Sequence, residues 1–247
     1  RKSYEESATS SFDYPLSARY DENDALVYCD DVKVPWDRVF IYKDTETARG
    51  QFQDTYAHYM QNYQAMTRLM VKMQFQVGVA RRMCETIGTI GIPSVAEKLG
   101  HMAAQAAMVE GLVYGMESGG GMFNGYYVPD RNLMYTAQVL TQQLYPEFIT
   151  SMRELAGGGL IMLPSSAEDF TDPDLNRYIN ATQKSAIGTA EEKVKFMKLA
   201  WDCIGSEFAS RHTQYEMFYA GAQFVTRGHA MRTYDWERSS DLVDSIL

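Results

Sequence analysis

Leu69-Met-Val-Lys-Met-Gln-Phe-Gln-Val-Gly-Val-Ala-Arg-Arg-Met-Cys-Glu-Thr-Ile87 decides the fold class. Within it Leu69, Met73, Val77, Ala80, Cys84 and Ile87 recur at spacings of three and four, which places them on one face of a helix. Gly88 and Gly91-Ile-Pro93 end that helix. The same period returns along the chain. From Ser94, a candidate N-cap, to about Met116, one face carries Val95, Leu99, Met102, Ala106, Val109, Val113 and Met116. Ser118-Gly-Gly-Gly121 stops it and reads as a flexible turn. After Pro129 a third stripe runs through Leu133, Ala137, Leu140, Leu144, Phe148, Met152 and Leu155, with Pro146 expected to kink or split it near Tyr145. A fourth opens at Thr189, with Glu191 and Glu192 where the helix dipole favours acids, and continues through Val194, Met197, Trp201, Ile204 and Phe208. Four long amphipathic helices predict a mainly α protein built as a helical bundle.

The flanks read differently. Leu26 to Cys29, Val32 to Val34 and Val39 to Tyr42 are short, β-branched or aromatic runs broken by Asp30-Asp31 and Pro35. They are too few to close a sheet and read as the last strands of a β-domain. The chain begins at Arg1-Lys-Ser-Tyr4 inside material that reads as strand and loop, which implies a preceding N-terminal portion. The expected organisation is therefore 1–45 as the end of a β-domain, 46–234 as the helical bundle, and 235–247 as a C-terminal helix or tail.

Composition narrows the function. A formal net charge of −9 argues against a nucleic-acid partner, because phosphate binding calls for a basic surface. No run is apolar enough to span a membrane. Cys29, Cys84 and Cys203 are odd in number and isolated, so neither a disulfide framework nor a zinc site is indicated, and the reducing cytoplasm fits. His58, His101, His212 and His229 form no metal-binding pair, and no metal is expected. Gly157-Gly-Gly159 closes a helix one turn after Arg153. A plain C-cap explains it, and so does a backbone that approaches a flat or anionic ligand beside a guanidinium. Residues alone leave both readings open, as they do structural and functional roles for His212.

Four segments in order carry a resemblance: Tyr14-Pro-Leu-Ser-Ala-Arg-Tyr-Asp-Glu-Asn-Asp-Ala25; Val34-Pro-Trp-Asp-Arg-Val-Phe40; Arg153 to Phe170; and Lys195-Phe-Met-Lys-Leu-Ala-Trp-Asp202 running into Gly205 to Tyr219. Together they resemble the oxygenase component of 4-hydroxyphenylacetate 3-hydroxylase and its relatives, the chlorophenol and nitrophenol monooxygenases. The resemblance implies an acyl-CoA dehydrogenase-like fold, of which this chain would hold the last strands of the β-domain and the C-terminal four-helix bundle. It implies FAD, supplied reduced by a separate flavin reductase, O2, a C4a-hydroperoxyflavin, hydroxylation of a phenolic substrate, and a homo-oligomer, dimer or tetramer. It also implies that part of the catalytic apparatus lies outside this chain, which alone would be inactive.

By the same resemblance Arg153, Gly157, Gly158 and Gly159 would lie near the flavin. Gln64 and Arg68, polar groups on an otherwise apolar helix, are further flavin-side candidates. Arg211, His212 and Tyr215 are the catalytic candidates and Tyr219 the substrate-binding one, matching a late Arg-x-x-x-Tyr-Glu-x-x-Tyr segment of the family. The iron–sulfur branch of the family is not expected, since Cys84 and Cys203 share no helix face with a histidine. The competing reading is a cofactor-free helical interaction module, which would have no use for Gly157-Gly-Gly159 after Arg153.

Overall fold

A computed structural model describes residues 10–22, 24–52 and 54–247. The strand-and-loop reading of Arg1 to Tyr4 lies outside these. The helices are α1 (Ser17–Tyr20), α2 (Thr45–Gly50), α3 (Ala57–Ile87), α4 (Pro93–Ser118), α5 (Arg131–Ala156), α6 (Pro173–Thr182), α7 (Ala190–Ile204), α8 (Glu207–Phe218), α9 (Gln223–Thr233) and α10 (Trp236–Asp244). Tight 3₁₀ turns form at Trp36–Arg38, Gly157–Leu160 and Ala167–Phe170. The chain divides into two compact units, one comprising residues up to 58 with 78–96 and 152–211, the other 59–77, 97–151 and 212–247.

In the second unit the expected stripes form the core: Leu69 and Met73 of α3, Met102, Ala106, Val109, Val113 and Met116 of α4, and Ala137, Leu144 and Phe148 of α5 are buried. Burying each of the Leu, Met, Val and Phe side chains among them stabilises by roughly 1.5–3 kcal/mol. Gln142, buried on α5, donates from Nε2 to the carbonyls of Met217 (2.9 Å) and Gly221 (2.7 Å) and accepts from Thr226 Oγ1 at 2.8 Å. One side chain thereby satisfies the carbonyls where α8 gives way to α9.

In the first unit Ala80, Met83 and Cys84 are buried, as are Met152, Val194, Met197 and Ile204. Two buried polar hubs join distant parts of this unit. Lys198 Nζ contacts Asp13 Oδ1 at 2.7 Å and donates to the Ser165 carbonyl at 3.0 Å, while Asp13 accepts the Ala167 N–H. Asp202 accepts the N–H groups of Leu16 (2.8 Å) and Ser17 (2.7 Å) and the Ser17 hydroxyl, capping α1.

The α7 start is as expected. Thr189 and Glu192 form a reciprocal capping box, with the Glu192 N–H donating to Thr189 Oγ1 at 3.1 Å and the Thr189 N–H to Glu192 Oε2 at 2.8 Å. Thr189→Ala is expected to lower stability by about 1 kcal/mol in urea denaturation, because it orphans a first-turn donor.

Several expectations are corrected. Leu26 to Cys29, Val32 to Val34 and Val39 to Tyr42 are not strands; they run exposed with no ladder among the described residues. Propensity sets an extended backbone, but a strand exists only with a partner to take its N–H and C=O groups. The Gly119–Gly121 turn instead leads into a hairpin, β1 (Gly121–Phe123) antiparallel to β2 (Tyr126–Val128), with Met122 opposite Tyr127. Its signal was Asn124-Gly125, both at positive φ as a two-residue hairpin turn requires. Pro146 does not split α5, which runs unbroken from Arg131 to Ala156. Leu140 is exposed rather than core. The fourth stripe is two helices: Gly205 and Ser206 both donate N–H to the Trp201 carbonyl, and Ser206 Oγ then accepts the Ala209 N–H to start α8. Phe208 falls on the same period across that break. The residues after it form the rest of α8 and then α9, and α10 follows from Trp236.

Candidate functional site

Within the second unit, α3 places Arg68, Lys72 and Gln76 one turn apart on one face, and α8 presents His212, Tyr215 and Glu216, with Tyr219 just beyond its end. These side chains meet. Arg68 grips Glu216 in a forked pair, Nη1 to Oε1 and Nη2 to Oε2 at 3.0 Å. Lys72 Nζ donates to the same Oε1 at 2.5 Å and lies 3.1 Å from His212 Nδ1. The Arg68 guanidinium sits 4.6 Å from the centroid of the Tyr215 ring, and Tyr215 stacks on Tyr219 at 4.4 Å. Lys72 lies 5.7 Å from the Tyr145 ring, whose hydroxyl accepts Gln76 Nε2 at 2.9 Å.

The electrostatics follow from burial and pairing. The Glu216 side chain is 3% exposed, against 27% for Arg68 and 18% for Lys72. Burial works against the charged carboxylate, but the Arg68 hydrogen bonds and the two nearby cations outweigh it and hold Glu216 below the usual glutamate value. Burial likewise opposes the Arg68 charge, and Glu216 outweighs it, raising Arg68. Tyr215 is pushed up to about 12, chiefly by burial and also by Tyr219, against the lowering influence of Arg68. At neutral pH the cluster thus holds fixed charges and a protonated phenol that serves as a hydrogen-bond donor. Arg68 Nε is buried with no hydrogen-bond partner among the described residues, an N–H donor left unsatisfied at the cluster.

Four expected residues therefore come together: Arg68, His212, Tyr215 and Tyr219. Gln64 lies exposed on α3, and no described contact joins it to them. Arg211 belongs to the first unit. Its guanidinium pairs with Asp21, with Asp24 at 3.6 Å and with Glu207 at 3.9 Å, tying Asp21 and Asp24 to the start of α8. Sequence reasoning missed Lys72, Glu216 and Tyr145. The four-residue step Gln64, Arg68, Lys72, Gln76 was the available signal.

Arg153 and the triglycine lie in the first unit. Arg153 Nε and Nη2 donate to the Ile204 carbonyl at 3.0 and 2.7 Å, closing the end of α7. Two of its five N–H groups serve that bond, and the side chain is exposed, so the remaining donors stay available to an anion. Gly157 takes φ +56°, a left-handed turn that ends α5 without strain only for glycine. A Cβ at Gly157 or Gly159 would meet nothing within 4 Å, and at Gly158 only Met162 Cε at 3.6 Å, so this backbone lies open to a flat ligand. Each region by itself offers groups suited to part of a flavin: guanidinium N–H donors and an open glycine backbone in the first unit, a guanidinium and aromatic faces in the second. No group of three or more His, Cys, Asp or Glu side chains among the described residues is arranged to hold a metal ion.

A family model described as the 4-hydroxyphenylacetate 3-hydroxylase C terminal matches residues 48–247, and its N-terminal counterpart matches residues 1–41. The chain belongs to the 4-hydroxyphenylacetate 3-hydroxylase family. Among its relatives, the 4-hydroxyphenylacetate 3-monooxygenase oxygenase component of Pseudomonas aeruginosa is 35% identical over 91% of this chain and 44% of that protein. The 4-nitrophenol 2-monooxygenase oxygenase component of a Rhodococcus species is 34% identical over 95% of this chain and 46% of its own length. The chain spans about half the length of the curated relatives it matches. A crystal structure of the HpaB oxygenase component of 4-hydroxyphenylacetate 3-monooxygenase, complexed with FAD and 4-hydroxyphenylacetate, superposes with a TM-score of 0.90 at 31% identity, covering 96% of this chain and 50% of that one. The mainly α, acyl-CoA dehydrogenase-like bundle expected from the sequence is thus the fold of a 4-hydroxyphenylacetate 3-hydroxylase.

Proposed function

We propose that this chain is part of the oxygenase component of a two-component monooxygenase, in which a phenol, O2 and reduced FAD yield a hydroxylated phenol, water and oxidised FAD. The meeting of Arg68, His212, Tyr215 and Tyr219 within one unit of a family member carries this reading. When bound, reduced FAD supplies the electrons that activate O2. A separate reductase supplies the reduced flavin. The setting is a cytoplasmic homo-oligomer, dimer or tetramer, consistent with the exposed apolar residues Leu242, Val243, Ile246 and Leu247 at the C-terminus. Among the described residues no helix is long and apolar enough to cross a membrane.

The residues divide the work by chemistry. Tyr215, kept protonated by burial, donates a hydrogen bond and holds its proton at neutral pH. His212 stands beside it on α8 as the group able to move a proton. Arg68 supplies a fixed charge and an Nε donor, and Tyr219, partly exposed and stacked on Tyr215, offers an aromatic ring to a phenolic substrate. Arg153 and the open Gly157–Gly159 backbone hold the anionic part of the cofactor. Arg211, bound among three carboxylates, enters this scheme by anchoring the start of α8.

The test is anaerobic titration of the full-length protein with reduced FAD, followed by turnover of 4-hydroxyphenylacetate, chlorophenols and nitrophenols with a flavin reductase. Absence of reduced-flavin binding would sink the proposal. Arg153→Ala is expected to weaken FAD binding by about 1.5–3 kcal/mol, the scale of a hydrogen bond to a charged group. An unchanged dissociation constant in a folded variant would leave Arg153 only its Ile204 bond.

A further inference from the structure

We infer that Lys72, braced by Glu216, is a positioning residue that fixes the tautomer of His212 and leaves the imidazole proton on Nε2. An ammonium group has three N–H donors and no lone pair. Its 3.1 Å contact with His212 Nδ1 therefore requires that nitrogen to be the acceptor, so the ring is neutral and its proton sits on the opposite edge. The reverse arrangement, a neutral amine accepting from Nδ1–H, is disfavoured because the same Nζ is ion-paired to Glu216 Oε1 at 2.5 Å. Glu216 is itself clamped by the Arg68 fork and is almost wholly buried, so Lys72 is held at both ends. Its flank is closed by the Tyr145 and Tyr215 rings, at 5.7 and 6.0 Å from Nζ.

The consequence is a half-buried imidazole whose Nε2 edge carries the proton and donates. Such an edge holds a phenolic or phenolate oxygen by hydrogen bonding, where the other tautomer would face it with a lone pair. The catalytic use of that donor rests on the phenol hydroxylation proposed above; the tautomer does not. Glu216 acts at one remove, through Lys72.

The decisive measurement is solid-state NMR of the full-length protein labelled with ¹⁵N-histidine at neutral pH, the His212 signals being identified by their loss in His212→Gln. The expected wild-type spectrum has Nε2 in the protonated range and Nδ1 in the unprotonated, hydrogen-bonded range. A wild-type Nδ1–H ring or an imidazolium overturns the inference without any variant. Lys72→Arg, which also only donates, is expected to keep the tautomer, and Lys72→Met to release it to a mixture; an unchanged spectrum in folded Lys72→Met overturns it too. In turnover, Lys72→Met is expected to lower kcat by about tenfold or more with little change in flavin affinity, and Lys72→Arg to recover most of it. An expected spectrum together with no phenol turnover in the wild type would refute the proposed function while leaving the Lys72–His212 assignment standing.

Discussion

Glu216→Ala is expected to destabilise the protein by about 3 kcal/mol, read as a lower urea midpoint at unchanged slope. The carboxylate is 3% exposed and answers two cations, Arg68 through a fork and Lys72 at 2.5 Å. Removing one partner of a buried pair costs roughly 3–5 kcal/mol because it strands the other charge. Arg68 and Lys72 keep some contact with water, which screens them and places the cost at the lower end. Glu216→Gln, which keeps the shape but not the charge, should fall between the wild type and alanine. Adding Lys72→Met to Glu216→Ala should recover part of the loss, since one stranded cation is then gone. A cost below about 1 kcal/mol would show that the cluster contributes little to folding.

The same carboxylate gives a pH dependence with a definite sign. Its folded value lies below the ordinary 4.5, so the unfolded chain binds the proton more readily. The stabilisation is therefore complete above about 4.5, the unfolded value, and is lost as pH falls through the lower folded value. Asp13 behaves alike: burial opposes its charge, but hydrogen bonds from Lys198, Ser10 and the Ala167 N–H outweigh it and lower its value from 3.8. Acid unfolding should shift to higher pH in Glu216→Ala only through overall destabilisation, while the titration step belonging to Glu216 disappears.

Asp202→Ala is expected to cost a similar amount, about 3 kcal/mol, in the first unit. Its side chain is fully buried and accepts three donors, the Leu16 and Ser17 N–H groups and the Ser17 hydroxyl. Each donor left unsatisfied in the interior costs roughly 1–3 kcal/mol, and water reaching the partly buried Leu16 amide offsets some of this. Asp202→Asn recovers only part, because an amide offers one acceptor where the carboxylate offers two. Hydrogen exchange gives a second readout: the Leu16 and Ser17 amides should lose protection locally in Asp202→Ala. Unchanged protection of both would mean that α1 is held by something other than this cap.

How far the chain could be read before folding differs between elements. The α3 and α4 stripes were legible because a helix closes its own hydrogen bonds, so period alone reports both the element and its buried face: Leu69, Met73, Ala80, Cys84, Met102, Val109, Val113 and Met116 are all buried. The runs between Leu26 and Tyr42 were not, because an extended run is a strand only when another segment pairs with it. The break at Gly205-Ser206 was hidden by a hydrophobic period that passes across it unchanged.

The site divides in the same way. Arg68 was marked by residue type, and His212, Tyr215 and Tyr219 by the Arg-x-x-x-Tyr-Glu-x-x-Tyr pattern, whose spacing puts His212, Tyr215 and Tyr219 within reach of one another along α8 and just past its end. Arg153 and Gly157–Gly159 were marked as a helix end beside a guanidinium, and they form one. That Lys72 meets His212, that Glu216 answers Arg68, and that Arg211 turns to Asp21 and Asp24 are pairings between residues separated by more than a hundred positions along the chain. Local propensity acts over a few residues and says which face a side chain occupies. Which charges share a desolvated site is a matter of tertiary packing, and burial then sets their protonation.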